Sequence, residues 1–76
     1  MNVPTEGVAG KEGVINQPQV NVRKSADANA EILLVLEQDV SVFIEGASKD
    51  STGIVWYKVS FAGETGYMMG QYITVK

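Results

Sequence analysis

Hydrophobic residues recur at every second position through much of this chain, and glycines or short polar runs interrupt them at close intervals. Val20 and Val22 alternate with Asn21 and Arg23, the pattern of a strand with one buried face. Val14-Ile15 is placed to begin a strand before it, and Pro18 breaks the two apart. Ile32 to Leu36 is a continuous apolar run, too short for a packed helix and rich in branched side chains, and it predicts another strand. After a turn at Glu37-Gln38-Asp39, Val40, Val42 and Ile44 alternate with Ser41, Phe43 and Glu45. Phe43 falls outside the inward set and is expected either to cover the N-terminal segment or to add to an adhesive surface.

Ala47 to Gly53 reads as a polar loop. The strand that follows carries Val55, Tyr57, Val59 and Phe61 on one face and Ile54, Trp56, Lys58 and Ser60 on the other. Ala62-Gly63 closes a hairpin, because glycine supplies the positive φ that tight hairpin turns need. Thr65 to Met69 forms the return strand, Gly70-Gln71 a short 3₁₀ turn, and Tyr72 to Val75 a last strand. Lys24 to Glu31 is small and polar and has no apolar stripe to anchor a helix, so it is read as a surface loop. The fold class is therefore all-β, with roughly five to seven short antiparallel strands. One sheet this small would leave edges and an apolar face open, and closure into a barrel removes both. Residues 1–13, glycine-rich and with little apolar periodicity, read as a linker or flexible tail, with docking of Val3 or Val8 on the barrel as the alternative, and residues 14–76 read as the barrel.

With 76 residues there is room for one domain and one modest core. Six Lys+Arg stand against nine Asp+Glu, with no basic cluster. Nucleic-acid affinity rests on phosphate neutralisation, so nucleic acid is not an expected partner. Adhesion to anionic membranes or anionic wall polymers is disfavoured for the same reason. No apolar run approaches the ~20 residues that span a bilayer, and Met1 is followed by a polar stretch rather than a signal peptide.

Several motifs taken together resemble the bacterial SH3-like (SH3b) domain family. They are Val20-Asn21-Val22-Arg23, Ile32 with Leu36, Val42 with Ile44, Trp56-Tyr57-Lys58-Val59, and Gly66-Tyr67-Met68 with Tyr72-Ile73. The resemblance covers Val14 to Val75 and implies a small SH3-like barrel. It departs from the family pattern at three turns. Lys24-Ser25-Ala26 stands where Ser-Gly-Pro is usual, Asp39 replaces a common glycine, and Ala62-Gly63 replaces Asn-Gly. The family accompanies extracellular or wall-acting proteins, commonly beside a peptidoglycan hydrolase. The resemblance thus implies an extracellular or cell-wall-associated domain excised from a longer protein, with bacterial cell-wall peptide or a neighbouring domain as partner.

The chain holds no histidine and no cysteine, which removes the commonest general base, the commonest nucleophile pairings and almost every zinc site. Its carboxylates fall in loops or on outward strand faces, not paired across a cleft. Neither a phosphate-cradling loop nor an acidic calcium loop is present. The reading is a non-enzyme, without cofactor or metal. What remains is an aromatic surface. Trp56 and Tyr67 alternate out of phase with Tyr57, Val59 and Met68, and Tyr72 follows the turn at Gly70-Gln71. Half-exposed amphipathic rings suit peptide or sugar contact. Arg23 and Asp27 flank the long loop and are candidates to read a ligand carboxylate or amine, or to pair with each other.

Two functions fit these residues. The first is a targeting module that binds wall peptide through Trp56, Tyr67 and Tyr72, with Arg23 and Asp27 at the rim. The second is an adaptor that packs on and positions a neighbouring domain. Thr65 to Ile73 also resembles the end of eukaryotic SH3 domains, which dock proline-rich peptides. Met69 stands where those carry proline, and their early Ala-Leu-Tyr-Asp-Tyr motif is missing, so half of such a groove is expected at most.

Overall fold

The computed structural model describes residues 7–76. It contains seven antiparallel strands: β1 (Glu12–Ile15), β2 (Gln19–Arg23), β3 (Ile32–Glu37), β4 (Ser41–Lys49), β5 (Val55–Phe61), β6 (Glu64–Met69) and β7 (Ile73–Val75). A 3₁₀ turn at Gly70–Tyr72 joins the last two. The strands follow the order β3-β2-β6-β5-β4-β1-β7 in one curled sheet, a half-barrel of SH3-like form.

Alternation places the core as expected. Val20, Val22, Leu36, Val42, Ile44, Tyr57, Val59, Met68 and Ile73 are buried together inside the curl. β4 bends to serve both sides. A bulge between Ile44 and Gly46 adds a residue; Ser41 to Phe43 pair with β1, and Phe43 to Lys49 run along β5. The Ala62-Gly63 hairpin has φ of 53° and 84°, the doubly positive geometry of a type I′ turn. Asp39 takes φ 72° and so does the work of the glycine it replaces.

Three details differ from the leading expectations. At the N-terminus the structure takes the alternative to a free tail, with Val8 docked on the barrel. Val8 is buried in the core, and the Gly10 amide donates to the Ile44 carbonyl at 2.8 Å. Burying one valine contributes roughly 1.5–3 kcal/mol, enough to hold a glycine-rich arm that carries no periodic signal. Residues 1–6 lie outside the described residues. Second, the loop expected over 47–53 is shorter, because Ala47, Ser48 and Lys49 continue β4 opposite Tyr57, Trp56 and Val55. Ser48 and Lys49 are exposed, so this end of the hairpin lacks the apolar alternation that marks a strand. Third, Phe43 is not buried under the described part of the N-terminal segment. It lies opposite Glu12 and Ser60 and is 48% exposed.

Gly66 lies where β6 comes closest to β2. A Cβ there would lie 2.5 Å from Val22 Cγ1 and 2.9 Å from the Arg23 carbonyl oxygen. The second contact is with backbone, which cannot rotate away. Gly66→Ala is therefore expected to force β2 from β6 and to cost about 1–3 kcal/mol in chemical denaturation. A Gly66→Ala variant as stable as the parent contradicts this close approach.

Candidate functional site

β2 and β6 share a single register pair, Arg23 opposite Tyr67. Continuing that register would set Met69 against Asn21, but the strands part instead. On its other edge β2 is fully paired with β3 from Gln19 to Arg23. The parting leaves a groove of about 220 Å³. Gln19, Asn21 and Arg23 line it from β2, with Val20 between them. Met69 and Tyr72 line it from the end of β6 and the 3₁₀ turn, and Trp56 of β5 lies at its base.

Trp56 differs from the half-exposed ring expected. It is 1% exposed, although it faces away from the core formed by Tyr57 and Val59. The loop Asp50–Ile54 explains how an indole can be buried there. Asp50 accepts the Trp56 Nε1–H at 2.8 Å, the Thr52 hydroxyl at 2.6 Å, and the amides of Thr52 at 2.8 Å and Ile54 at 3.0 Å. One carboxylate thus satisfies the indole and shapes the hairpin loop at once. The ring offers the groove apolar surface, while its one donor is committed to Asp50.

The other sequence candidates are divided by the fold. Arg23 and Tyr72 join Trp56 at the groove. Arg23 Nη1 donates to the Ala30 carbonyl at 2.8 Å, which ties it to the long loop. Tyr72 is half-buried, and its carbonyl accepts the Asn16 amide at 3.0 Å. Tyr67 does not line the groove. It sits half-buried on the outer face, opposite Arg23 on one side and Lys58 on the other. Asp27 is exposed and absent from the groove. Its Oδ1 accepts the Asn29 amide at 2.8 Å, a local turn in the loop. No Arg23–Asp27 ion pair forms; the ion pair among the described residues joins Lys76 to Glu12 at 3.5 Å.

Sequence reasoning missed Asp50, Met69 and the amides of Gln19 and Asn21. Asp50 carried a signal, since an aspartate two residues before threonine at the head of a polar loop favours such a turn. The groove amides carried none, because the parting of β2 from β6 is a tertiary feature.

A model of the bacterial SH3 domain matches residues 18–74, three quarters of the chain. The match takes in every residue that lines the groove, while Val8 and β1 precede it. No curated protein matches the chain.

The Thr52 hydroxyl first, and the indole next, hold the Asp50 carboxyl at about 2, below its ordinary 3.8. A folded-state value below the unfolded one stabilises the fold above the ordinary carboxylate range. That contribution is lost as pH falls from 3.8 through about 2. Trp56 emission is expected to hold steady from neutral pH down to the ordinary carboxylate range and to change across that acidic window. Asp50→Asn keeps an acceptor oxygen but no charge, and is expected to remove this step. Identical acid titrations of the two proteins contradict the role given to Asp50.

Proposed function

The chain belongs to the bacterial SH3 domain family, and from that premise we propose that it is a non-catalytic targeting module that tethers a larger secreted or surface protein to bacterial cell-wall peptide. The groove between β2 and β6 carries this reading. It joins an aromatic base and wall, Trp56 and Tyr72, to side-chain amides and one guanidinium. Those groups recognise an extended amide-rich chain, and they have no arrangement for cleaving one. The Asp50 bond fixes Trp56 beforehand, so little ordering cost falls on binding. Recognition through a confined groove also suits a protein of net charge −3, which anionic wall polymers repel as a whole. Such a module raises the local concentration of an attached catalytic domain even when its own affinity is weak. The setting is extracellular or wall-associated.

A second reading is an adaptor that packs on a neighbouring domain of its parent protein. It is favoured by Phe43, 48% exposed, and Val35, 50% exposed. Phe43→Ser in a parent protein would then alter the activity of the neighbouring domain and leave wall binding untouched.

Co-sedimentation with insoluble peptidoglycan tests the main reading. The protein is expected to partition to the wall fraction, and Tyr72→Ala to weaken it by about 1–2 kcal/mol, roughly five- to thirtyfold, with the fold retained by circular dichroism. Absence of partition, or full partition by Tyr72→Ala, contradicts it.

A further inference from the structure

We propose that the groove receives the end of a peptide chain and that Arg23 binds its free C-terminal carboxylate. This rests on the wall-peptide reading above and names the part of the peptide that the site takes. Three observations lead to it.

The groove is blind at one end. β2 and β6 part beyond Arg23 and Tyr67, and at that pair they are joined. Gly66 brings the backbones so close there that no chain passes between them. A peptide entering from the Gln19 end, alongside the β2 edge that β6 leaves unpaired, runs toward Arg23 and has to stop. A volume of about 220 Å³ fits the end of a chain rather than a long segment. It is below the ~300–1,000 Å³ typical of pockets that enclose whole small molecules.

A row of residues at the blind end carries two cations. Arg23, Tyr67 and Lys58 form a row across β2, β6 and β5, so two cations flank the tyrosine on the outer face. Among the described residues neither cation is ion-paired. Arg23 spends one donor on the Ala30 carbonyl, which fixes the guanidinium and leaves further N–H groups for a carboxylate.

The acids that would have suited an amine are spent elsewhere. Asp27 closes its own loop turn, and Asp50 is occupied by Thr52, Ile54 and Trp56. Among the described residues no carboxylate lines the groove. An amino terminus would therefore meet a cation and no counter-charge, whereas a carboxyl terminus meets its complement.

The test compares N-acetyl-trialanine with its C-terminal amide, and a wall stem peptide with its C-terminal amide. Each is titrated into the full chain, with Trp56 emission and the amide shifts of β2 as readouts. The free acids are expected to bind at least about tenfold more tightly than the amides, the scale of a lost charge-assisted hydrogen bond. Arg23→Gln is expected to abolish that preference, and Arg23→Lys to keep part of it. Equal affinity of acid and amide for the unaltered protein overturns the proposal and needs no variant to fold. Preference for the acid together with no binding to peptidoglycan upholds carboxylate recognition and removes the wall as its source. Binding to peptidoglycan with no response to either acid leaves the targeting function standing and overturns the Arg23 assignment.

Discussion

The close approach of β6 to β2 at Gly66 governs both the fold and the groove. With hydrogen in place of a side chain, the two backbones meet at Arg23 and Tyr67 and join the β2–β3 pair to the rest of the sheet. Val22 and Met68 can then share one interior with Val59 and Ile44. The same contact is confined to one register pair, so the strands part directly beyond it. The strands are joined where the core needs them joined and part just beyond. A wider contact would have erased the groove, and none would have detached β2 and β3 from the core.

Asp50 sets the groove's chemistry from outside it. An indole on the outer face of a seven-residue strand would ordinarily be half wet. Here the loop between β4 and β5 folds a carboxylate over the ring's only donor, and Trp56 becomes a fixed apolar base. The polar side chains that line the groove, Arg23, Asn21 and Gln19, are all on β2. In the binding mode proposed above, Tyr72 and the buried Trp56 wall the groove and Arg23 gives it polarity.

Period-two alternation made the interior legible in the sequence, from Val20 and Val22 through Tyr57, Val59 and Met68. Turn chemistry was legible at Ala62-Gly63 and at Asp39. Legibility failed where a residue's surroundings come from distant segments. Val8 sits in a glycine-rich arm with no periodic partners, and only its contact with the assembled core buries it. Trp56 was assigned correctly to the face away from Tyr57, but its burial depends on a loop that alternation does not describe. Arg23, Trp56 and Tyr72 converge on one groove, whereas Asp27, equally plausible from its place beside the loop, turns back on its own backbone. Neighbourhood in sequence located the loop, and side-chain hydrogen bonding decided which residues were free to act.

The groove where β2 parts from β6 is the proposed seat of wall peptide. The most direct measurement is an amide-shift map of the protein titrated with a wall stem peptide. Perturbations are expected to concentrate on Gln19 to Arg23, Met69, Tyr72 and the Trp56 indole N–H, with the amides of Val35 and Phe43 unchanged. Shifts centred on Val35 and Phe43 with the groove silent would contradict it.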